Sequence, residues 1–485
     1  MHDMSRPLAA RTFLTFRRLW GALALVAAVS LGGAPALLAQ PDLGTRADTA
    51  QVTFDEAVRI ALDQNTDLRR SQASVQQSET ELQSEWMDFT PSLNVSSNVQ
   101  RQYGRNFSQV TGDFTSRSTD FLNMGGSANV TLFNGFENIS SLREARTRSA
   151  AEEQNLRRTQ REVVFTVMEQ FINLVETREI VRVRQEELDA LQQQLQQVEE
   201  FVDAGSRPVS ELYQQQANVA EAEQALLQAQ REREVAQTQI IQTLQLNPRR
   251  PYDFRVPDPP GDSIDTRTFD PSALIDEAFE ERLDLRVAEA DRRAAEHNVQ
   301  SARSQYYPSL SVGANYGTDW TNRPRPIPDP NNPDQTIEPG FSDQLDQNRG
   351  GSISLSLNIP IFDQWQRETQ VQQAKVQSRN AQYALDDQRQ QVALQVRQAY
   401  LDYQNAIQQL EAANARLRSA RQARTAAQER YNLGAASIVE LQNANRDFVD
   451  AASQQVRARY TLLFREKQID YFVGRLRPTA PLFGE

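Results

Sequence analysis

Two stretches of this chain, residues 137–203 and 365–433, contain neither proline nor glycine and are rich in Gln, Arg, Glu, Ala and Leu, all good helix formers. Each predicts one uninterrupted helix on the order of 100 Å long at about 1.5 Å per residue. Leu188, Leu191, Leu195, Val198 and Val202 step by three and four, as do Tyr403, Ile407, Leu410, Asn414 and Leu417. That is a narrow heptad seam, the mark of helices packed side by side. A globular core cannot hold objects of this length, so they must lie against equally long partners and meet water on at least one face. Shorter helical stretches at 67–88 and 210–246 nearly match the first long one when laid end to end, and 284–306 with 438–472 nearly match the second. The arithmetic predicts two struts, each a long helix beside two stacked short ones. The glutamine-rich run 192–197 carries phased Leu191 and Leu195 and reads as helix rather than low-complexity coil.

The two struts come from an internal repeat. Leu132-Phe133-Asn134 recurs as Ile361-Phe362-Asp363, Gly205 as Gly434, Glu211 as Glu440 and Leu212 as Leu441, each pair 229 residues apart. The register holds without a gap for about eighty residues. Upstream, Asp67-Leu68-Arg69 matches Asp284-Leu285-Arg286, and Pro91-Ser92-Leu93 matches Pro308-Ser309-Leu310, now 217 apart. A proline-rich bridge, 247–271, separates the copies and fits an external linker.

Four segments alternate with a period of two. Leu93, Val95, Ser97 and Val99 alternate with polar neighbours, as do Ala128, Val130 and Leu132; so do Leu310, Val312, Ala314 and Tyr316, and the series from Ile353 to Ile361. This marks strands with one apolar and one polar face, the longer ones long enough to cross an outer membrane at a tilt. Aromatics stand where helix meets strand: Trp86 and Phe89, Tyr306 and Tyr307, Phe133 and Phe136, Phe362 and Trp365. With the strands, they suggest a membrane-interface girdle. Polar loops are expected at 104–120 and 317–350. Four strands cannot close a barrel, and open edges are not tolerated in lipid; if the chain is a membrane protein it must be an oligomer, of two, three or four copies on strand count alone.

Residues 1–39 read as a secretory leader. Arg6, Arg11, Arg17 and Arg18 precede an apolar run at 19–31, and Leu37-Leu38-Ala39 offers a cleavage site. No other run is long and apolar enough for a membrane helix. The chain has no cysteine and two histidines, His2 and His297, so disulfides, thiol catalysis, zinc–thiolate sites and multi-histidine metal sites are not expected. A net charge of −12 argues against a nucleic-acid partner.

The pattern resembles the outer membrane efflux protein family, the TolC-like channel-tunnels. The resemblance covers the mature chain. It rests on the order of two tandem copies of helix, strand, strand, long helix, tip and helix, with Thr53-Phe54-Asp55-Glu56-Ala57-Val58, Thr90-Pro91-Ser92-Leu93, Tyr307-Pro308-Ser309-Leu310 and Tyr431-Asn432-Leu433-Gly434 as local matches. It divides the chain into a first repeat at 40–246, the linker at 247–271, a second repeat at 272–477 and a tail at 478–485. It implies a mixed α and β fold: a homotrimer with four transmembrane strands per protomer in a twelve-stranded barrel in outer-membrane lipid, above a long periplasmic coiled-coil barrel. It implies no enzyme activity, no cofactor and no metal. Function would be that of a passive exit duct of a tripartite efflux or type I secretion system, working with a periplasmic adaptor (membrane fusion protein) and an inner-membrane pump of the RND or ABC type. Gly205, Ser206, Arg207 and Pro208, with Gly434, Ala435, Ala436 and Ser437, would form the adaptor-docking tip. Ser210, Glu211, Tyr431, Glu440 and Asn443 fall at positions of the periplasmic gate. A second acidic ring would need an acid at Asn443, and the family's arginine link falls on Ala436. The resemblance thus implies a looser or differently latched gate, with Arg207 placed to substitute from the neighbouring hairpin.

Two other classes fit the pattern less well. In an adhesive stalk anchored by a barrel, the helices lie outside and the anchor is terminal; here strands interrupt the helices twice, so both helical arms hang from one side. In a periplasmic enzyme a catalytic constellation is needed. Asp386-Asp387 and Glu186-Glu187 read as solvated helix faces, and the glycines at 125–126 and 350–351 open no helix, so they form no phosphate cradle.

Overall fold

The computed structural model describes residues 50–108, 113–116, 118–255, 266–329, 332–477, 479 and 482. The leader expected at 1–39, most of the tail and residues 256–265 of the linker lie outside them. In chain order the elements are β1 (Ala50–Thr53), α1 (Phe54–Gln64), α2 (Thr66–Met87), β2 (Ser92–Gln102), β3 (Arg105–Ser108), β4 (Asp113–Ser116), β5 (Thr119–Asn134), α3 (Glu137–Asp203), α4 (Val209–Thr243), β6 (Tyr252–Arg255), α5 (Pro271–Glu281), α6 (Leu283–Ser304), β7 (Ser309–Thr321), β8 (Ile327–Asp329), β9 (Asn332–Ile337), α7 (Phe341–Gln347), β10 (Gly350–Asn358), α8 (Gln366–Asn432) and α9 (Ile438–Val473).

The long helices α3 and α8 have 67 residues each, and each has the two expected short partners. Toward the strands, the packing runs α2, α3, α6, α8; toward the far ends it runs α4, α3, α9, α8. The helices therefore form a row in which α3 and α8 run the full length while the short helices change over midway. This is why the apolar residues sit in narrow seams. Leu188, Leu191 and Val198 are buried on α3, Tyr403 is buried on α8 with Ile407 and Leu410 packed beside it, and the remaining faces stay polar.

At the changeover the row thickens. Phe54 of α1 meets the Phe171 ring edge-on at 5.4 Å, and Phe254 of β6 meets the same ring at 6.0 Å. Strands β1 and β6 pair in parallel, 202 residues apart at Ala50↔Tyr252. On the other side Leu274 and Ala278 of α5 bury against Val392, Val396 and Tyr403 of α8 and Leu462 of α9. The Tyr403 hydroxyl accepts from the Arg267 amide at 2.9 Å and donates to its carbonyl at 3.1 Å. The sequence expectations hold no element at β1, α1, β6 or α5, and a break at Asn65 divides α1 from α2. Asn65 makes that break by capping α2, its side-chain oxygen accepting from the Asp67 and Leu68 amides.

Strands β2, β5, β7 and β10 form one antiparallel sheet in chain order. Register makes its two faces unlike. One row reads Leu93, Ala128, Ala314, Ile353, and the next reads Asn94, Ser127, Asn315, Ser352. The apolar face is bare: Leu93 is 82 %, Val95 87 % and Ile353 84 % exposed. The outer edges of β2 and β10 are unpaired. The expected loops hold more order than composition showed, with a β3–β4 hairpin in the first and a β8–β9 hairpin plus α7 in the second. Strand β5 also starts earlier than expected, and β10 ends before Ile359.

Each long helix leaves the sheet through two consecutive left-handed residues, Gly135–Phe136 (φ 67° and 69°) and Gln364–Trp365 (φ 58° and 73°). These are repeat-equivalent positions. Only the first pair has a glycine, because a Cβ on residue 135 would run into the Ser304 carbonyl and Tyr307. The aromatics at these joins are exposed: Trp86, Phe89, Phe136, Tyr306, Tyr307, Phe362 and Trp365.

Candidate functional site

The far ends of the helical row carry the two tips. Both hairpins turn in the same way. Gly205 and Gly434 adopt φ of 70° and 73°. The Gly205 amide donates to the Val202 carbonyl and the Ser206 amide to that of Phe201; Gly434 donates to Tyr431 and Ala435 to Arg430. This paired closure of a helix C-terminus requires a left-handed residue, which glycine adopts without a Cβ penalty. Helix α4 then starts behind Pro208, and α9 behind Ser437, whose hydroxyl accepts from the Glu440 amide at 3.2 Å.

The tips touch each other. Arg207 lies with its guanidinium carbon 4.7 Å from the centroid of the Tyr431 ring and donates to the Tyr431 carbonyl at 3.2 Å. It also faces Glu211 at 3.5 Å, and the Tyr431 hydroxyl donates to the other Glu211 oxygen at 3.2 Å. Three side chains from two hairpins thus close one small polar cycle over an apolar floor of Ala427, Ala436, Ile438 and Leu441. Tyr431 is only 2 % exposed. Burial first, and then the Glu211 charge, push its phenol above the usual range, while Arg207 pulls the other way.

The sequence put Arg207 in place of the arginine missing at Ala436 without naming its partner, and that partner is Tyr431 on the second hairpin of the same chain. Ser206 is tied to its own turn, its hydroxyl donating to the Phe201 carbonyl at 2.8 Å. Gly205, Pro208, Gly434, Ala435 and Ser437 are exposed at the tip surface, whereas Ala436 is buried. Ser210 and Asn443 are exposed and stand outside the cycle. Glu440 pairs with Arg430, which also reaches the Ala435 carbonyl at 3.4 Å. Arg430 was not singled out from sequence. It sits ten residues before its partner across the turn, a spacing that becomes readable only once the turn is placed. Gln215 was missed too: fully buried, it donates to the Leu191 carbonyl at 3.0 Å and pins α4 to α3. No group of three or more acidic or histidine side chains that could hold a metal occurs among the described residues.

The family model "Outer membrane efflux protein" matches residues 57–244 and 274–475. The chain belongs to that family. This outer membrane efflux protein is 22 % identical over 383 residues to the outer membrane efflux protein BepC of Brucella suis, an alignment spanning 76 % of this chain and 77 % of BepC. Among solved structures it is similar to CusC, at a TM-score of 0.72 and 19 % identity over 87 % of this chain and 92 % of that one. It is likewise similar to the Campylobacter jejuni CmeC outer membrane channel, at a TM-score of 0.71 and 16 % identity over 95 % and 97 %. The fold is that of the trimeric TolC-like channel-tunnels, mixed α and β with two repeats. Family and fold are those of outer-membrane channel proteins, and no described helix is long and apolar enough to cross a membrane.

Proposed function

We propose that three copies of this outer membrane efflux protein form a passive exit duct of a tripartite efflux or type I secretion system. The observation that carries the reading is the sheet. One face is exposed and apolar, the other is Asn- and Ser-rich, and both outer edges are open. Such a sheet is compatible with lipid only when its edges pair, because unsatisfied backbone groups are costly in hydrocarbon. The four strands alternate in direction, so β10 of one copy runs antiparallel to β2 of the next. Three copies close a twelve-stranded barrel with the apolar face toward lipid and the polar face toward water. At about 3.3 Å per residue and a tilt of about 45°, the 11 residues of β2 span roughly 25 Å, the height of an outer-membrane apolar band. The exposed aromatics at the joins then sit at one interface, and the helical row continues the wall into the periplasm.

In this reading the two tips form the periplasmic end. Arg207, Glu211 and Tyr431 latch the second hairpin to the first, and exposed Gly205, Pro208, Gly434, Ala435 and Ser437 offer the surface that docks an adaptor, through which an inner-membrane pump is reached. The native chain lacks cysteine, so an Ala435→Cys thiol is unambiguous. The test is to crosslink that variant in intact cells and identify the captured protein by mass spectrometry. Capture of a periplasmic adaptor is expected, and its cognate pump would then show the cargo. A well-labelled thiol that captures none would remove the docking role from the tip.

A further inference from the structure

A cleft of about 720 Å³ lies over α9, walled by α3 on one side and α8 on the other. That size suits a drug-sized molecule. Its acids are already engaged: Glu179 and Glu186 both turn to Arg182, at 2.6 and 3.1 Å, and Glu187 pairs with Arg184 at 2.9 Å. Opposite them α8 presents Arg418, Arg421 and Arg424, one helical turn apart, so they share a face. None of the three forms an ion pair with a described residue. Arg424 lies 4.0 Å from the centroid of the Phe448 ring; burial, and then the neighbouring Arg421 charge, hold its guanidinium below the usual range. Like charges gathered on one wall of the cleft, and not in ion pairs with described residues, favour an anion.

The floor of the cleft adds a second, independent sign. Val183, Leu191, Leu417, Val449, Val456 and Phe448 make it apolar. Tyr460 closes it, 1 % exposed, its hydroxyl without a hydrogen-bond partner among the described residues. A buried donor left unpaired is costly, and a ligand acceptor at the floor would satisfy it. The helix repeat does not demand these residues. Counting back 229 positions, Arg418, Arg421 and Arg424 correspond to Asp189, Gln192 and Leu195, and Tyr460 to Arg231. The arginine face belongs to the second copy alone.

We infer that the cleft between α3, α8 and α9 binds an amphiphilic organic anion, its acid group held by Arg418, Arg421 and Arg424 and its ring or chain laid against Phe448 and Tyr460. A docked protein helix, about 10 Å across, would meet the arginine rim without reaching the enclosed hydroxyl, which favours a small molecule. The inference stands on one chain and does not depend on trimer closure or on adaptor docking.

The probe is 8-anilino-1-naphthalenesulfonate, titrated by fluorescence against the full-length protein in lipid nanodiscs, with uncharged N-phenyl-1-naphthylamine as its partner dye. Saturable binding of the sulfonate at one site per chain is expected. Arg418→Ala with Arg421→Ala should weaken it at least tenfold and leave the neutral dye within twofold. Tyr460→Phe should weaken the sulfonate severalfold. Unchanged sulfonate binding in the double variant, or a neutral dye that binds wild type as tightly as the sulfonate, would overturn the site. So would tighter binding of a glutamate-rich helical peptide than of the dye, since that outcome gives the arginines to a protein partner.

Discussion

The two helical arms descend from one repeat, yet they are packed differently. In the first, the lower half of α3 buries Ile180, Val183, Leu188, Leu191 and Val198, and Leu188 and Leu191 interlock with Val219, Ala222 and Leu226 of α4. In the second, α8 has no buried residue between Ala406 and Ala427. The positions equivalent to Leu191 and Leu226 are Ala420 and Gln455, and Gln455 spends its side chain on Asn414 at 3.2 Å. Side chains of the first arm are held by an apolar seam; the second arm relies on polar contacts between Ala406 and Ala427, and is held at its tip by a small apolar cluster together with Arg207. Local opening is cheapest where few apolar contacts must be broken. The difference teaches that local opening costs less in the middle of the second arm than in the first, which makes the first the better post for the proposed latch.

The largest effect should come from weakening the fixed post. Leu191→Ala removes a buried side chain and leaves a cavity worth about 2–4 kcal/mol, to be read as faster hydrogen exchange in the lower halves of α3 and α4. Leu417→Ala, at the half-exposed equivalent of Leu188, should cost under about 1 kcal/mol. Equal losses at the two positions would break the comparison. Next comes the latch. Arg207→Ala deletes an ion pair, a carbonyl contact and a ring contact together, about 2 kcal/mol in a half-buried setting. Single-channel recordings should show open time rising by an order of magnitude, and no change would take Arg207 out of the latch.

A gain of packing should be milder. Ala420→Leu with Gln455→Leu copies the seam of the first arm into the second. It should slow exchange across residues 407–426 by about tenfold, some 1.4 kcal/mol, and lower the open probability; faster exchange would show that the polar pairing is itself the better packing. The smallest effect is a pH dependence. The Tyr431 phenol is raised in the folded protein by burial and then by Glu211. Its proton therefore stabilises the latch fully below the unfolded value of about 10, and that contribution fades as pH rises through the folded value. Conductance should be flat from neutral pH to about pH 10 and climb above it, and Tyr431→Phe should remove the climb.

Much of this architecture was legible because it is written in long periodic signals. A run of nearly seventy residues without a helix breaker leaves little choice, and the alternation of Leu93, Val95 and Val99 fixes which face of β2 is apolar. What escaped was short or distant. β1 has four residues and finds its partner 202 positions away, so no local pattern could announce it. The hairpins inside the outer loops depend on contacts such as Phe107 with Phe114 at 5.3 Å, which carry no periodicity. At the tip the glycines were readable from the turn they must make. The partner of Arg207 was not, since it depends on how two hairpins far apart in sequence lean together, and Arg430 was hidden for the same reason.

The unpaired edges of β2 and β10 bear on how the protein is made. A single copy is an unfinished object, sticky along two margins and greasy on one side, and every hour it spends alone is an hour in which it can join the wrong neighbour. Closing those margins needs several copies to meet at one place, so the yield of closed sheets climbs more steeply than the supply of chains.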